Sequence, residues 1–180
     1  MMSETNKPPQ IESVWFKTAT LIGVAVLVVL LDQLTKYFAN TQLPYNQAQT
    51  VFPGFDLLLS YNSGAAFSFL HDAGGWQRYF LTGISVVVSM VVLIWLVKLP
   101  KQQKLQCAAL TLILGGAVGN LIDRAMQGYV IDFISVYFEQ YRFATFNIAD
   151  SAISVGAALI LLEIILEMFK SKQAEDRAHD

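Results

Sequence analysis

A chain of 180 residues that is 54% hydrophobic and only 14% charged, well below the roughly 25% of ordinary soluble domains, is built for lipid. A net charge of -2, a mean hydropathy of +0.47 and no basic stripe exclude nucleic acid as a partner. The lone Cys107 excludes an intramolecular disulfide and is expected to pack, while His71 and His179, outside any His-Glu-x-x-His pattern, exclude the usual zinc peptidase.

Thr18 to Phe38 is apolar except for Asp32 and Lys36, and it is close to the roughly 20 residues that a membrane-crossing helix needs. Lys7 and Lys17 ahead of it resemble the start of a signal peptide. No small-residue cleavage pattern follows, however, so an uncleaved span is expected. Asp32 and Lys36 lie one helical turn apart at its outer end, where an intrahelical pair neutralises both charges. The next stretch, Phe52 to Tyr61, begins at the turn signal Pro53-Gly54 and reads as a short strand. Asn62-Ser63-Gly64 breaks it before Ala65 to Leu70, and the whole could form a small sheet on the outer membrane boundary, where aromatics are comfortable.

Tyr79 to Val97 and Leu105 to Ile122 carry no charge and are the second and third spans, joined by a turn bearing Lys98, Lys101 and Lys104. In the third, Gly115 and Gly119 form a Gly-x-x-x-Gly face for close helix packing, and Asn120 shares a face with Asp123. Arg124 beside Asp123 suggests a structural pair or a clamp for an anionic lipid group. Ser151 to Phe169, with only Glu163 and Glu167, is the fourth span, and the mixed-charge tail from Lys170 to Asp180 is expected as a solvated helix end or a disordered cap. The expected organisation is therefore a single integral membrane domain with spans at 18–38, 79–97, 105–122 and 151–169. The lysine turn at 98–104 falls in the cytoplasm with both termini, and the connections 39–78 and 123–150 face outward. The fold class is all-α membrane protein with four transmembrane helices and a small extracytoplasmic β-containing subdomain.

Two carboxylates carry the chemistry best. Asp132 in Tyr129-Val-Ile-Asp-Phe133 and Asp150 in Phe146-Asn-Ile-Ala-Asp150 lie beside apolar stretches, where an acidic group is costly enough to need a function. Two such groups held close can share one proton, one serving as base and the other as acid, as in an aspartyl protease. The blander alternatives are that Asp150 caps the fourth helix and that Asp132 pairs with Arg124 or Arg142. Asp123 is as good a member of the pair as Asp132 on this reasoning. A serine-lysine pair of Ser63 and Lys36 is a further option, if burial lowers the lysine pKa.

Together these residues resemble the bacterial lipoprotein signal peptidases, also called signal peptidase II or prolipoprotein signal peptidase. The segments that carry the resemblance are Asp32-Gln-Leu-Thr-Lys36, Asn62-Ser-Gly-Ala-Ala-Phe67, Gly115-Gly-Ala-Val-Gly-Asn-Leu-Ile-Asp-Arg124, Val130-Ile-Asp-Phe133 and Phe146-Asn-Ile-Ala-Asp150, in that order on four spans. Ser63 departs from the Thr often found there but keeps the hydroxyl. The resemblance implies an aspartic endopeptidase of the bacterial inner membrane that removes the signal peptide from diacylglyceryl-modified prolipoproteins, cutting before the lipidated cysteine near the periplasmic face. It implies Asp132 and Asp150 as the catalytic pair. It further implies that Asn62, Gly64, Asn120, Asp123, Arg124 and Asn147 contact substrate or order the site, and that Asp32 and Lys36 order the first helix. It also implies no cofactor or metal, contact with membrane lipid, and inhibition by the cyclic peptide globomycin. A proton-coupled carrier and a noncatalytic lipid-binding protein are the rival readings, but the carboxylates cluster near one face instead of marking a path across the bilayer.

Overall fold

The computed structural model describes residues 11–64, 76–100 and 102–179. Lys7, the segment Ala65 to Leu70, His71 and Lys101 lie outside the described residues, together with the side chains of Lys17 and His179. Four helices, α1 (Ile11–Gln42), α2 (Trp76–Lys98), α3 (Lys104–Met126) and α4 (Ile148–His179), are each long and apolar enough to cross a membrane. At 32 residues each, α1 and α4 are about 48 Å long, more than a hydrocarbon core of about 30 Å can cover. All four overrun the expected spans at both ends, because polar residues end an apolar run without ending a helix. As a result Asp123 and Arg124 fall in the last turn of α3, not in the connection after it.

The helix α3 occupies the centre, packed against the other three. Ala25 of α1, Val92 and Leu96 of α2, and Leu110 and Leu114 of α3 form one buried cluster. Leu27, Leu30, Val87, Val91, Leu161 and Ile165 point outward, where lipid and not water is their solvent. The centre closes tightly because small residues let backbones meet. A Cβ on Gly115 would stand 2.7 Å from the Val28 Cβ, and one on Gly119 would stand 2.7 Å from Asp32 Oδ2. The expected Gly-x-x-x-Gly face thus meets α1. A second contact, through Gly116 and Gly156, meets α4: a Cβ on Gly116 would press into the Ala149 carbonyl oxygen. Gly116→Ala is accordingly expected to lower stability in detergent by about 1–3 kcal/mol. Because the displaced turn carries Asp150, activity should fall with the melting temperature.

Four antiparallel strands form one sheet in the order β1 (Gln49–Phe52), β2 (Phe55–Asn62), β3 (Val130–Phe138), β4 (Tyr141–Arg142). Pro53 and Gly54 turn β1 into β2, with Gly54 at φ 92°, the left-handed corner glycine accepts without strain. The expected strand is therefore present, and it pairs with a second one from the other long connection. That partner, β3, carries Asp132 opposite Ser60 and Val130 opposite Asn62. Beyond β4 the chain crosses back over β3: Phe146 N–H donates to the Ile134 carbonyl at 3.0 Å, and the Phe146 carbonyl accepts from Phe133 and Ile134 N–H at 3.1 and 2.9 Å. This crossing sets the residue that follows, Asn147, against the start of β3.

Candidate active site

Asn147 precedes α4 and caps it. Its Oδ1 accepts from the Asp150 N–H at 2.9 Å, and Asp150 Oδ2 accepts from the Asn147 N–H at 3.2 Å, a reciprocal capping box that satisfies two donors at the helix N-terminus. Asp150 is therefore the third residue of the helix and not its first cap, since α4 begins at Ile148. The Asn147 amide group points the other way and donates to Asp132 Oδ1 at 2.7 Å. One fully buried asparagine thus ties Asp132 to Asp150.

Each carboxylate has a second amide partner. Asn62 Nδ2 reaches Asp132 Oδ2 at 3.2 Å, oriented by the Gly64 N–H on its Oδ1 at 3.1 Å, and Asn120 Nδ2 reaches Asp150 Oδ1 at 2.7 Å. Neither Arg124 nor Arg142 ion-pairs with Asp132. Arg142 instead bonds Asp56 Oδ2 at 2.7 Å, because the register places Asp56 opposite Ser135 and Arg142 opposite Tyr137. Burial pushes the Asp132 carboxyl up to about 7, the neighbouring charge of Asp150 pushes it the same way, and the Asn62 and Asn147 amides and the charge of Lys36 oppose both.

Behind this pair lies a buried charge cluster. Lys36 Nζ stands 2.8 Å from Asp32 Oδ2, 2.9 Å from Asp123 Oδ2 and 2.9 Å from Asn120 Oδ1, which uses all three ammonium protons. The intrahelical pair is present but is only one arm of the arrangement. Asp123 also accepts from Gln33 at 2.9 Å and from the Ile131 N–H at 3.1 Å, so its carboxylate is committed to joining α1, α3 and β3. Asp32 reaches across to accept the Ala149 N–H at 2.8 Å, capping a second donor of α4 from α1. The three ammonium protons of Lys36 go to Asp32, Asp123 and Asn120 and none to Ser63, which leaves the serine-lysine alternative without its contact.

A cavity of about 1010 Å³ opens on the pair. Asp132, Asp150, Asn62, Asn120 and Arg124 line its floor, with the Arg124 guanidinium in the field of Asp150, Asp132 and Asp123. Tyr45 and Tyr61, with ring centroids 4.9 Å apart, form one wall; Phe143 to Phe146 and the α4 residues Ile153, Ser154 and Val155 form the other. Val155 is both in the cavity lining and 52% exposed, so this wall reaches the outer surface of the helix bundle.

Comparison with known proteins bears on the family and the fold. A family model described as signal peptidase (SPase) II matches residues 24–166. The chain is 47% identical over 160 residues to the lipoprotein signal peptidase of Acinetobacter baylyi, covering 88% of this chain and 89% of that one. It is 46% identical over 160 residues to that of Hydrogenovibrio crunogenus, covering 89% and 91%. A solved structure described as a bacterial membrane enzyme superposes with a TM-score of 0.75 at 32% identity, covering 83% of this chain and 90% of the other. The chain belongs to the signal peptidase II family.

As a member of that family it is a multi-pass membrane protease of the aspartic class that removes signal peptides from prolipoproteins. The carrier and the noncatalytic lipid-binding readings are thereby set aside. Of the residues that sequence reasoning singles out in this signal peptidase, Asp132, Asp150, Asn62, Asn120 and Arg124 meet at one cavity. Asn147, Asp123, Asp32 and Lys36 stand behind them, and Gly64 acts on Asn62. Sequence reasoning misses Gln33, although its spacing from Lys36 already puts both on one helix face, and it misses Tyr45, Tyr61 and the 143–146 wall, which carry no charge to mark them.

Proposed function

We propose that Asp132 and Asp150 are the catalytic dyad and that the substrate is a prolipoprotein carrying a diacylglyceryl cysteine, cut just before that residue. The observation that carries this reading is the Asn147 side chain and backbone holding both carboxylates at one cavity. Asp150, fed by Asn120 and by a helix N-terminus, takes a proton from water as the water attacks the scissile carbonyl. Asp132, protonated near neutral pH, donates to the carbonyl oxygen and then passes its proton toward the leaving amine. Asn62 and Arg124 line the space where the peptide must lie. A cavity wall that reaches the bundle surface at Val155 suits a substrate whose signal helix and acyl chains stay in lipid, and each buried CH₂ would add about 0.8 kcal/mol of binding.

Lysines in the α2–α3 turn and few basic residues in the two long connections support an orientation with both termini in the cytoplasm and the dyad at the periplasmic side. Globomycin, a cyclic peptide, would inhibit by occupying the same cavity. Incubation of the purified protein with a diacylglyceryl prolipoprotein should release the signal peptide, and globomycin should stop the release. Equal cleavage of an unlipidated precursor would remove the lipid part of this reading.

A further inference from the structure

We propose that Arg142 is a positioning residue for substrate, holding the cavity wall formed by Phe143 to Phe146. The inference rests on the active-site reading above. The strand β4 has two residues, too few to keep itself in place through its own ladder. Arg142 supplies the missing hold. One arm of its guanidinium donates to Asp56 Oδ2 at 2.7 Å, the other donates to Ser135 Oγ, and its plane lies 5.0 Å from the centre of the Tyr137 ring. A single planar fork therefore joins β4 to β2 across β3, a geometry that lysine cannot reproduce. The Asp56 carboxylate is 2% exposed while the Arg142 side chain is 39% exposed, so the pair is buried at its acidic end only and acts more as a constraint on position than as a source of stability.

What this fork positions is the segment immediately after it. Phe143 N–H donates to the Val136 carbonyl at 2.9 Å, Ala144 and Thr145 belong to no strand, and Phe146 is fastened again to Ile134. The wall is thus a short strap pinned at both ends that lines the cavity together with Ser154 and Val155. The two pins serve different ends. The Phe146 pin lies next to Asn147 and so sets the dyad, whereas the Arg142 pin lies at the far end and sets only the wall. Loss of the second should therefore weaken binding and spare the chemistry.

The test measures kcat and KM separately on a lipidated prolipoprotein, in the full-length protein with its dyad intact. Arg142→Gln should raise KM about tenfold and leave kcat within about twofold, and Arg142→Lys should restore part of the loss. The paired change Asp56→Asn with Arg142→Gln removes both charges, leaves no lone buried carboxylate, and should show the same KM defect with a near-normal melting curve. A KM within about twofold of the parent, a loss confined to kcat, or failure of the paired variant to fold would each overturn the proposal. Failure of the active-site reading has a different signature, namely activity that survives loss of Asp132 or Asp150.

Discussion

Asp132→Asn is expected to lower the cleavage rate by at least about 10³-fold while the protein still folds, and Asp150→Asn is expected to do the same. The expectation follows from roles that an amide cannot fill: asparagine neither takes a proton from water nor gives one to a leaving amine. Binding should persist, because the cavity walls at Tyr45, Tyr61 and Phe143 are untouched, so globomycin affinity is the control for a retained site. Near-normal turnover in either variant would end the aspartic mechanism for this pair of residues.

The pH dependence of the same residue gives a second readout. With its carboxyl at about 7, Asp132 loses its proton as the pH climbs through neutrality, and kcat/KM should fall there because the acid is consumed. The stability effect has a definite sign. Between the ordinary value of 3.8 and about 7 the native state holds a proton on Asp132 that the unfolded chain has released, so stability declines as the pH rises across that window. The full cost, reached above about pH 7, is on the order of 4 kcal/mol. Asp132→Asn removes this slope, which a series of melting curves from pH 4 to 8 would register.

How much of this was readable in advance differs from element to element. The four helices were, because apolar length is a property of one segment alone. The β1–β2 hairpin was, because Pro53-Gly54 names its own turn. β3 was not: Val130 to Phe138 is apolar on both faces and lacks the alternation that marks a half-buried strand. The cap of α4 was read one turn late, onto Asp150, because Asn147 and Asp150 are both capping residues and only the backbone shows that they cap each other. Arg142 was offered to Asp132, whereas its partner is Asp56, 86 residues away, and only strand register brings those two together. For the same reason the bond from Asp32 to Ala149 N–H, spanning 117 residues, left no trace in either local motif. Residue chemistry was visible throughout; long-range partnership was not.

That partnership underlies the largest expected loss of stability, from Lys36→Met. The side chain is 1% exposed and faces Asp32 at 0% and Asp123 at 3%, so its removal leaves two buried carboxylates without a cation. Breaking a buried pair from one side costs about 3–5 kcal/mol, and here two pairs break at once. The damage should spread to the site, because Asp32 holds the first turn of α4 and Lys36 orients the Asn120 amide that reaches Asp150. Adding Asp123→Asn to Lys36→Met restores charge balance in part, leaving one carboxylate that keeps its Gln33 and Ala149 donors. The double variant should therefore recover melting temperature relative to Lys36→Met, yet stay impaired in turnover, since Asn120 Oδ1 then keeps only its longer bond from Asn147 Nδ2 at 3.2 Å. Recovery of both together would mean that the cluster only supports the fold. Recovery of neither would mean that the ammonium is needed for its own hydrogen bonds more than for its charge.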